Sequence, residues 1–333
     1  YWRLLLVYAL MDEIELLYRC KRIRAVEEEI AARYGEQEMR CPTHLSIGQE
    51  LVGAAAGMIL RQDDFAVSSH RAHAHYLGKG GSMKAMIAEI YGKETGCAKG
   101  RGGSMHLSDL SCGFVASTAI VGNTIPVGTG LGLSIKLDGD DRISTIFIGE
   151  AATETGAFYE SANFAATQNL PVLFLCENNM YSVYTSLEYR QPKGRKIYEW
   201  THGLGMHTAR VDGMDCLSTY KAIEDMAQYV RSGSGPALLE IDTYRWREHC
   251  GPNYDNDIGY RPPEEYEEWR AKDGVEKLEQ DLLEVGKISP HDVCKMNESI
   301  DNEVQDAFKY AKSSPFPSAE TAGDYEYASG VQQ

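Results

Sequence analysis

Two polar side chains near the middle of the chain are of types that bind hard metal ions. Glu150 follows the apolar run at residues 143–148, and Asn179 follows the run at 172–176. With the helical pattern between them, these runs span about thirty-five residues, the length of a parallel strand–helix–strand unit. Ligands bind at the carboxyl ends of such strands. Glu150 and Asn179 are therefore candidate ligands for a hard cation and the phosphates it neutralises, although the same residue types also form ordinary turns.

Three histidines surround an arginine after a short predicted strand at residues 63–69. His70, His73 and His75 stand at i, i+3 and i+5. This spacing differs from the i, i+4 pair that places two metal ligands on one helical face. We therefore interpret Arg71 as the functional residue here, because a guanidinium presents a fixed fork of donors to phosphate.

Two glycine-rich segments are candidates for close approach to a ligand. Residues 91–106 contain five glycines, two lysines and an arginine, which favours a phosphate or lid loop and a plain surface loop about equally. Residues 126–133, PVGTGLGL, lack the strand and spacing of a dinucleotide fingerprint, so we predict a helix packed closely through its glycines. His44, before a small-residue helix at 51–60, is either a solvated loop residue or a site residue that titrates near neutrality.

The elements that must position these residues alternate between strands and helices. Thr153 and Glu154 are predicted to cap a helix that runs to about Thr167. Further helices are predicted at 3–34, 217–230, 264–285 and 290–312, a strand and turn at 208–215, and a strand at 237–243. This order predicts an α/β fold, a mostly parallel sheet flanked by helices. We expect an N-terminal helical segment at 1–40, an α/β domain at 41–312 and a tail at 313–333.

Composition excludes several classes of protein. The chain is 43% hydrophobic and 25% charged, as in soluble globular proteins, and no window approaches the ~18–20 apolar residues of a membrane span. The net charge of −16 argues against a nucleic-acid partner. The apolar residues 4–10 lack the basic start and cleavage site of a signal peptide. Eight scattered cysteines without a C-x-x-C pair favour reduced thiols, so we expect a cytoplasmic protein without a membrane or nucleic-acid partner.

Together these residues make the chain resemble the alpha subunit of thiamine-diphosphate-dependent 2-oxo-acid dehydrogenases, the decarboxylating first components of the pyruvate, acetoin and branched-chain complexes. The resemblance covers essentially the whole chain. Its motifs, in family order, are HLSIGQE, SSHRAH, TGCAKGRGGSMH, IVGNTIPVGTGLG, IGEAATETG, CENNMYS, VDGMD, TYRWREH and AKSSPFP. It implies the thiamine-diphosphate-binding fold, thiamine diphosphate and Mg²⁺ as cofactors, and an α₂β₂ heterotetramer with a beta subunit.

The resemblance also implies roles for individual residues. Mg²⁺ is expected to bind Glu150, Asn179 and the main chain of Tyr181. Arg71, with His70 where the family has Tyr, is expected to contact the diphosphate.

The remaining implied residues contact the rest of the cofactor and the reacting groups. Ala119 and Val121 fall where main-chain atoms meet the aminopyrimidine, and Ala151 and Ala152 are expected to bind the cofactor beside Glu150. His249 is expected to meet the diphosphate and the reacting acyl group, and His44 is a second expected catalytic histidine.

Several residues depart from the family pattern. Glu150 stands where the pyruvate type usually has Asp, although the branched-chain type accepts Glu, and Ala151 replaces Gly. The loop at residues 247–252 reads REHCGP where regulated relatives carry His-Gly-His-Ser. Cys250 cannot be phosphorylated, so we predict that this regulatory site is absent.

The implied activity is decarboxylation of a pyruvate-like 2-oxo acid and transfer of the acyl unit to a lipoyl group of an acyltransferase. The family's activating glutamate lies on the beta subunit, so the chain alone is expected to be inactive. An alternative is a carboligase that delivers the unit to a small-molecule acceptor in a biosynthetic pathway, suggested by His70 and the EHCGPNYDND loop. A degenerate scaffold subunit, suggested by Glu150 and Ala151, is a further alternative.

Overall fold

The structure of the chain, a computed structural model, describes residues 2–39 and 41–324, with the side chains of residues 13–39 and 41–324. Residues 325–333 of the predicted tail lie outside the described part. No helix in the described part of the chain is long and apolar enough to cross a lipid bilayer. All eight cysteines carry free thiols.

Parallel strands form the centre of the molecule. The strands are β1 (Phe65–Ser68), β2 (Phe114–Ser117), β3 (Ser144–Gly149), β4 (Val172–Asn178), β5 (Tyr181–Ser182), β6 (Thr185–Ser186), β7 (His207–Asp212) and β8 (Ala237–Asp242). Six of them make one sheet in the order β2-β1-β3-β4-β8-β7, in which every neighbouring pair is parallel. The antiparallel pair of β5 and β6 is a separate hairpin. The predicted α/β fold class is confirmed.

Helices surround this sheet. They are α1 (Trp2–Arg33), α2 (Glu50–Ile59), α3 (His73–Gly78), α4 (Met83–Ile90), α5 (Thr124–Asp138), α6 (Gly156–Thr167), α7 (Leu187–Arg190), α8 (Ile197–His202), α9 (Cys216–Arg231), α10 (Pro263–Arg270), α11 (Gly274–Glu284) and α12 (Pro290–Ser313). A 3₁₀ turn at Glu150–Glu154 connects β3 to α6. α1 packs against α2, α3, α11 and α12. The predicted domain boundaries stay predictions.

Both faces of the sheet are covered by apolar side chains. Along β3, Ile146 and Ile148 join a buried cluster with α5 and α6, whereas Phe147 joins a second cluster with α1, α2 and α9. Every residue of β4 is buried. Burial on both faces explains why these strands are continuous apolar runs in the sequence.

Two predicted helices differ from the observed ones at their boundaries. The single helix predicted at 264–285 is wrong, because α10 ends at Arg270 and Asp273 caps α11 by accepting hydrogen bonds from Val275 N and Glu276 N. Similarly, α6 is capped by Thr155, whose side chain accepts from Phe158 N, and not by Thr153 or Glu154. In both places a local capping side chain sets a boundary that helical periodicity leaves open.

Candidate functional site

A cavity of about 130 Å³ lies at the carboxyl ends of the central strands. Gly149 at the end of β3 is the register partner of Glu177 in β4, so Glu150 and Asn179 leave the sheet on neighbouring strands. Both line the cavity, as do Arg71, Tyr181 and His249. The fold thus brings an acidic, an amide and a basic side chain to one crevice, where ligands of parallel sheets bind.

Glu150 is the acidic group of the cavity. Only 2% of the residue is exposed, and this burial raises the pKa of its carboxyl group. Arg190 opposes the effect by donating from Nη2 to Glu150 Oε1 at 2.5 Å. A carboxylate held in so little water gains more from a cation than an exposed one would.

Asn179, itself a predicted metal ligand, holds the turn that leads to the predicted ligand Tyr181. Its Oδ1 accepts from Tyr181 N at 3.2 Å, and its Nδ2 donates to Gln49 Oε1 at 3.1 Å. Tyr181 then pairs with Ser186 in the β5–β6 hairpin. Asn179 and Tyr181, the predicted oxygen donors besides Glu150, are therefore linked in one turn.

Arg71 is a buried cation without an ionic partner among the described residues. Its guanidinium donates to the carbonyl oxygens of Leu45 at 2.5 Å and His249 at 3.1 Å. Burial and the nearby Arg245 lower its pKa to about 10, so it remains charged near neutrality. Because a buried charge is costly unless paired, this guanidinium favours an anion in the cavity.

His44, His70 and His249 form a cluster beside Arg71. Their ring centroids are 4.5 to 5.3 Å apart, and one nitrogen of each lies within 4.8 Å of the others. Burial and the charge of Arg71 lower the pKa to about 2 for His44, about 4 for His70 and about 3 for His249. The three imidazoles are thus neutral at pH 7, each with one N–H donor and one acceptor nitrogen.

The buried Nδ1 of His44 has no hydrogen-bond partner within the described chain. This atom is available to a bound group. The placement favours a site residue over a solvated loop residue, the two interpretations that the sequence left open for His44. The expected titration near neutrality is wrong, because burial and Arg71 lower the pKa of His44 to about 2.

The other two histidines of the His-Arg segment point elsewhere. His73 Nδ1 lies 3.0 Å from Glu27 Oε1, and its Nε2 lies 2.8 Å from Ser104 Oγ. His75 Nδ1 hydrogen-bonds to Ser68 Oγ at 2.8 Å. These two histidines have separate partners in the core, so they do not join His70 at one metal ion.

His75 also connects the core to the cavity. Its Nε2 lies 3.1 Å from Glu177 Oε2, a distance that suits an ion pair although the angle does not meet hydrogen-bond geometry. Glu177 lines the cavity, so the buried His75 helps to position one of the lining carboxylates.

The glycine-rich loop at residues 91–106 is organised by a carboxylate of its own. Glu89, at the end of α4, is fully buried. Its two oxygens accept from Ala98 N and Gly100 N at 2.8 Å, from Gly102 N at 2.6 Å and from Gly103 N at 3.2 Å. The backbone N–H groups of this loop therefore donate to the Glu89 carboxylate and are not available to a phosphate. This argues against the phosphate-loop interpretation.

The cavity includes most, but not all, of the predicted site residues. Ala151, Ala152 and Val121 line it. Ala119 is half-buried and is not one of the lining residues. His70 lines the cavity, and His44 reaches it through the contact of its ring with His70.

Some lining residues were missed by the sequence analysis: Gln49, Glu177, Val183 and Ser69. Gln49 lies in the motif HLSIGQE with His44, and Glu177 lies in the motif CENN with Asn179. Their nearness in sequence to predicted site residues could have identified them. Arg190, which contacts Glu150, carried no signal because forty positions separate it from its partner.

Comparison with known proteins places most of the chain in a known protein family. A family model described as dehydrogenase E1 component matches residues 18–320. The pyruvate dehydrogenase E1 component subunit alpha of Rickettsia bellii is 36% identical over 298 residues, which cover 90% of each chain. The mitochondrial somatic form of that subunit is 33% identical in Rattus norvegicus over 321 residues, which cover 96% of this chain and 80% of the relative. The Homo sapiens form has the same identity and coverage.

Proposed function

The chain belongs to the dehydrogenase E1 component family, and from this membership we propose how its cavity works. It is the alpha subunit of a thiamine-diphosphate-dependent 2-oxo-acid dehydrogenase, a component that decarboxylates its substrate and acts with a beta subunit. The observation that carries the proposal for the site is the meeting of Arg71 with Glu150 and Asn179 in one cavity.

This donor set fits the cofactor. Arg71, a buried guanidinium with no ionic partner in the described chain, would bind the diphosphate together with His70. Glu150, Asn179 and the Tyr181 carbonyl would hold Mg²⁺, which prefers few protein oxygens together with phosphates and water. Ala119, Val121, Ala151 and Ala152 would contact the cofactor beside them.

When bound, thiamine diphosphate supplies the electron sink for decarboxylation. The chain's own catalytic groups would be His249 and His44, whose neutral imidazoles can each hold or move a proton at a ring nitrogen. Arg71 donates to the His249 carbonyl oxygen. The phosphate-binding side chain therefore also positions the loop that carries this histidine.

Exposed apolar side chains beside the cavity support an interface with the beta subunit. Ile120 is 65% exposed and Val121, which lines the cavity, is 45% exposed. Two adjacent exposed apolar side chains at the edge of a site are compatible with a protein–protein contact. We propose that the beta subunit covers this edge in an α₂β₂ heterotetramer and completes the active site, so that the alpha chain alone is inactive.

The proposed substrate is a pyruvate-like 2-oxo acid, and the proposed acceptor is a lipoyl group on an acyltransferase component. The identities of 33–36% to pyruvate dehydrogenase alpha subunits support pyruvate as the first substrate to test. The cytoplasm remains the predicted compartment.

Reconstitution with the beta subunit tests this function. The complex, supplied with thiamine diphosphate, Mg²⁺ and pyruvate or a branched 2-oxo acid, is expected to release CO₂ and reduce a dye acceptor. Replacing the dye by a lipoylated domain or by free aldehydes separates transfer to lipoate from carboligation. If the complex decarboxylates no 2-oxo acid while its beta subunit is folded and bound, the proposed function is wrong.

A further inference from the structure

Arg190 forms a bridge between two carboxylates at the edge of the cavity. Its Nη2 lies 2.5 Å from Glu150 Oε1, and its Nη1 lies 2.5 Å from Glu154 Oε1. Only 11% of the Arg190 side chain is exposed. At such burial an ion pair is screened much less than a surface pair, so the bridge fixes the Glu150 carboxylate strongly.

One further hydrogen bond holds the Arg190 guanidinium in place, and another holds its partner Glu154. Its Nε donates to Thr185 O at 3.1 Å, and Gln191 Nε2 donates to Glu154 Oε1 at 2.9 Å. The guanidinium therefore uses nitrogens on all three of its branches. A planar fork bound in this way has one orientation, which a lysine ammonium could not reproduce.

The same segment is attached to the predicted backbone metal ligand. α7, which ends at Arg190, follows the hairpin in which Tyr181 pairs with Ser186. Leu187 N donates to Met180 O at 2.8 Å. Tyr181 and Glu150, two predicted oxygen donors, come from different strands. Arg190 thus connects the chain around Tyr181 to the carboxylate of Glu150.

We propose that Arg190 is a positioning residue for the divalent cation: it holds Glu150 by Oε1 and leaves Oε2 to bind the metal. This inference rests on the proposed function. Mg²⁺ requires near-ideal octahedral geometry, and a ligating carboxylate is itself usually held by a hydrogen bond. Glu154 balances the charge of Arg190, so that two carboxylates and one guanidinium leave a net charge of −1 to attract the cation.

The opposite role predicts the opposite result. If Arg190 only occupied the place of the cation, its removal would free Glu150 and strengthen Mg²⁺ binding. By Coulomb's law, removing a positive charge near the binding site of a dication also strengthens its binding. Weaker binding after removal of Arg190 therefore means either that Glu150 has lost its orientation or that it is protonated more easily without the guanidinium. R190K, which keeps the positive charge, separates the two causes.

The test uses the complete complex of alpha and beta subunits with saturating thiamine diphosphate. Mg²⁺ affinity is measured by calorimetry, and Mn²⁺ electron paramagnetic resonance reports the ligand geometry. We expect R190Q to weaken Mg²⁺ binding by about 10- to 100-fold and to broaden the Mn²⁺ spectrum. R190K is expected to resemble R190Q, because it keeps the charge but loses the fork.

Lys193 provides the matched control. It is exposed and lies on the same segment, so K193Q removes an equal charge and is expected to leave Mg²⁺ affinity unchanged. Thermal unfolding of each complex checks that the variants fold.

The possible results distinguish failure of the Arg190 inference from failure of the proposed function. Equal or tighter Mg²⁺ binding by R190Q would overturn the positioning role alone. Wild-type affinity in R190K would show that charge suffices and would also overturn it. If the wild-type complex shows no Mg²⁺-dependent binding of thiamine diphosphate, both the inference and the proposed cofactor site are wrong.

Discussion

Gly128 lies against Ile146 so closely that a β-carbon at Gly128 would come within 2.5 Å of the Ile146 side chain. The same atom would meet the Val67 side chain at 2.8 Å. This contact seats α5 on β1 and β3, the strands that carry Arg71 and Glu150 at their carboxyl ends. The glycine therefore controls the distance between a helix and the part of the sheet that forms the cavity.

The first prediction is that G128A destabilises the fold. Overpacking in a filled core typically costs about 1–3 kcal/mol, so the midpoint of urea unfolding should fall with little change in slope. Gly130, two residues along the same helix, has no atom within 4 Å of the point where a β-carbon would lie. G130A should therefore be neutral or stabilising by up to about 1 kcal/mol, and equal effects of the two variants would contradict the packing argument.

Close glycine packing of this helix was predictable from the sequence, as was the alternation of strands and helices around a mostly parallel sheet. Apolar runs such as 143–148 and 172–176 identify strands buried on both faces. Periodicity did not predict the break between α10 and α11. That break depends on Asp273, whose carboxylate caps α11 and pairs with Arg24 far away in α1.

The second prediction concerns Glu89, which organises the glycine-rich loop. E89Q removes the charge and replaces one acceptor oxygen with an NH₂ group, which would face backbone N–H donors. Losing charge-assisted hydrogen bonds of this kind costs about 1.5–3 kcal/mol each, so the loop should loosen. Faster cleavage by trypsin after Lys99 and Arg101 is the expected result.

A nearby glutamate supplies the control for that experiment. Glu94 is exposed, and E94Q should leave the cleavage rate unchanged. Unaltered cleavage in E89Q, measured at the same protein concentration, would show that the four amide contacts do not hold the loop closed.

The site was less predictable than the fold, for a physical reason. Glu150, Asn179 and Arg71 follow strands directly, so local sequence places them at the same edge. The neutral state of His44, His70 and His249 depends on burial and on the charge of Arg71, which appear only when distant segments pack. Residues that act through contacts across the fold, such as Arg190, carry no local pattern.

The third prediction is that Arg71 contributes more to cofactor binding than to the stability of the fold. R71M removes a buried charge without an ionic partner in the described chain, but it also removes the hydrogen bonds to Leu45 O and His249 O. Because these two effects on stability oppose each other, the thermal midpoint of the cofactor-free complex should change little. If Arg71 binds the diphosphate as proposed, losing its charge-assisted hydrogen bonds should weaken thiamine diphosphate binding by about 100-fold. Calorimetry and thermal unfolding of the same preparation measure both effects, and a large loss of stability would argue for a structural role of Arg71.

The fourth prediction follows from the lowered pKa values of the three site histidines. Burial and Arg71 lower the pKa of His70 from 6.5 to about 4. Between these values the unfolded chain binds a proton that the folded chain does not, so stability falls as the pH falls through this window and is constant above it. His70 alone should account for a loss of up to about 2 kcal/mol between about pH 7 and pH 5.

The comparison of H70Q with wild type measures this contribution. Unfolding free energies of the cofactor-free complex at both pH values should differ less in H70Q, because one titrating group is gone and its lowering effect on the pKa of His44 and His249 is relieved. His207 is exposed on β7, and H207Q should keep the wild-type pH dependence. An acid sensitivity that is the same in H70Q and wild type would show that His70 is already protonated in the folded protein near pH 6, contrary to its burial beside Arg71.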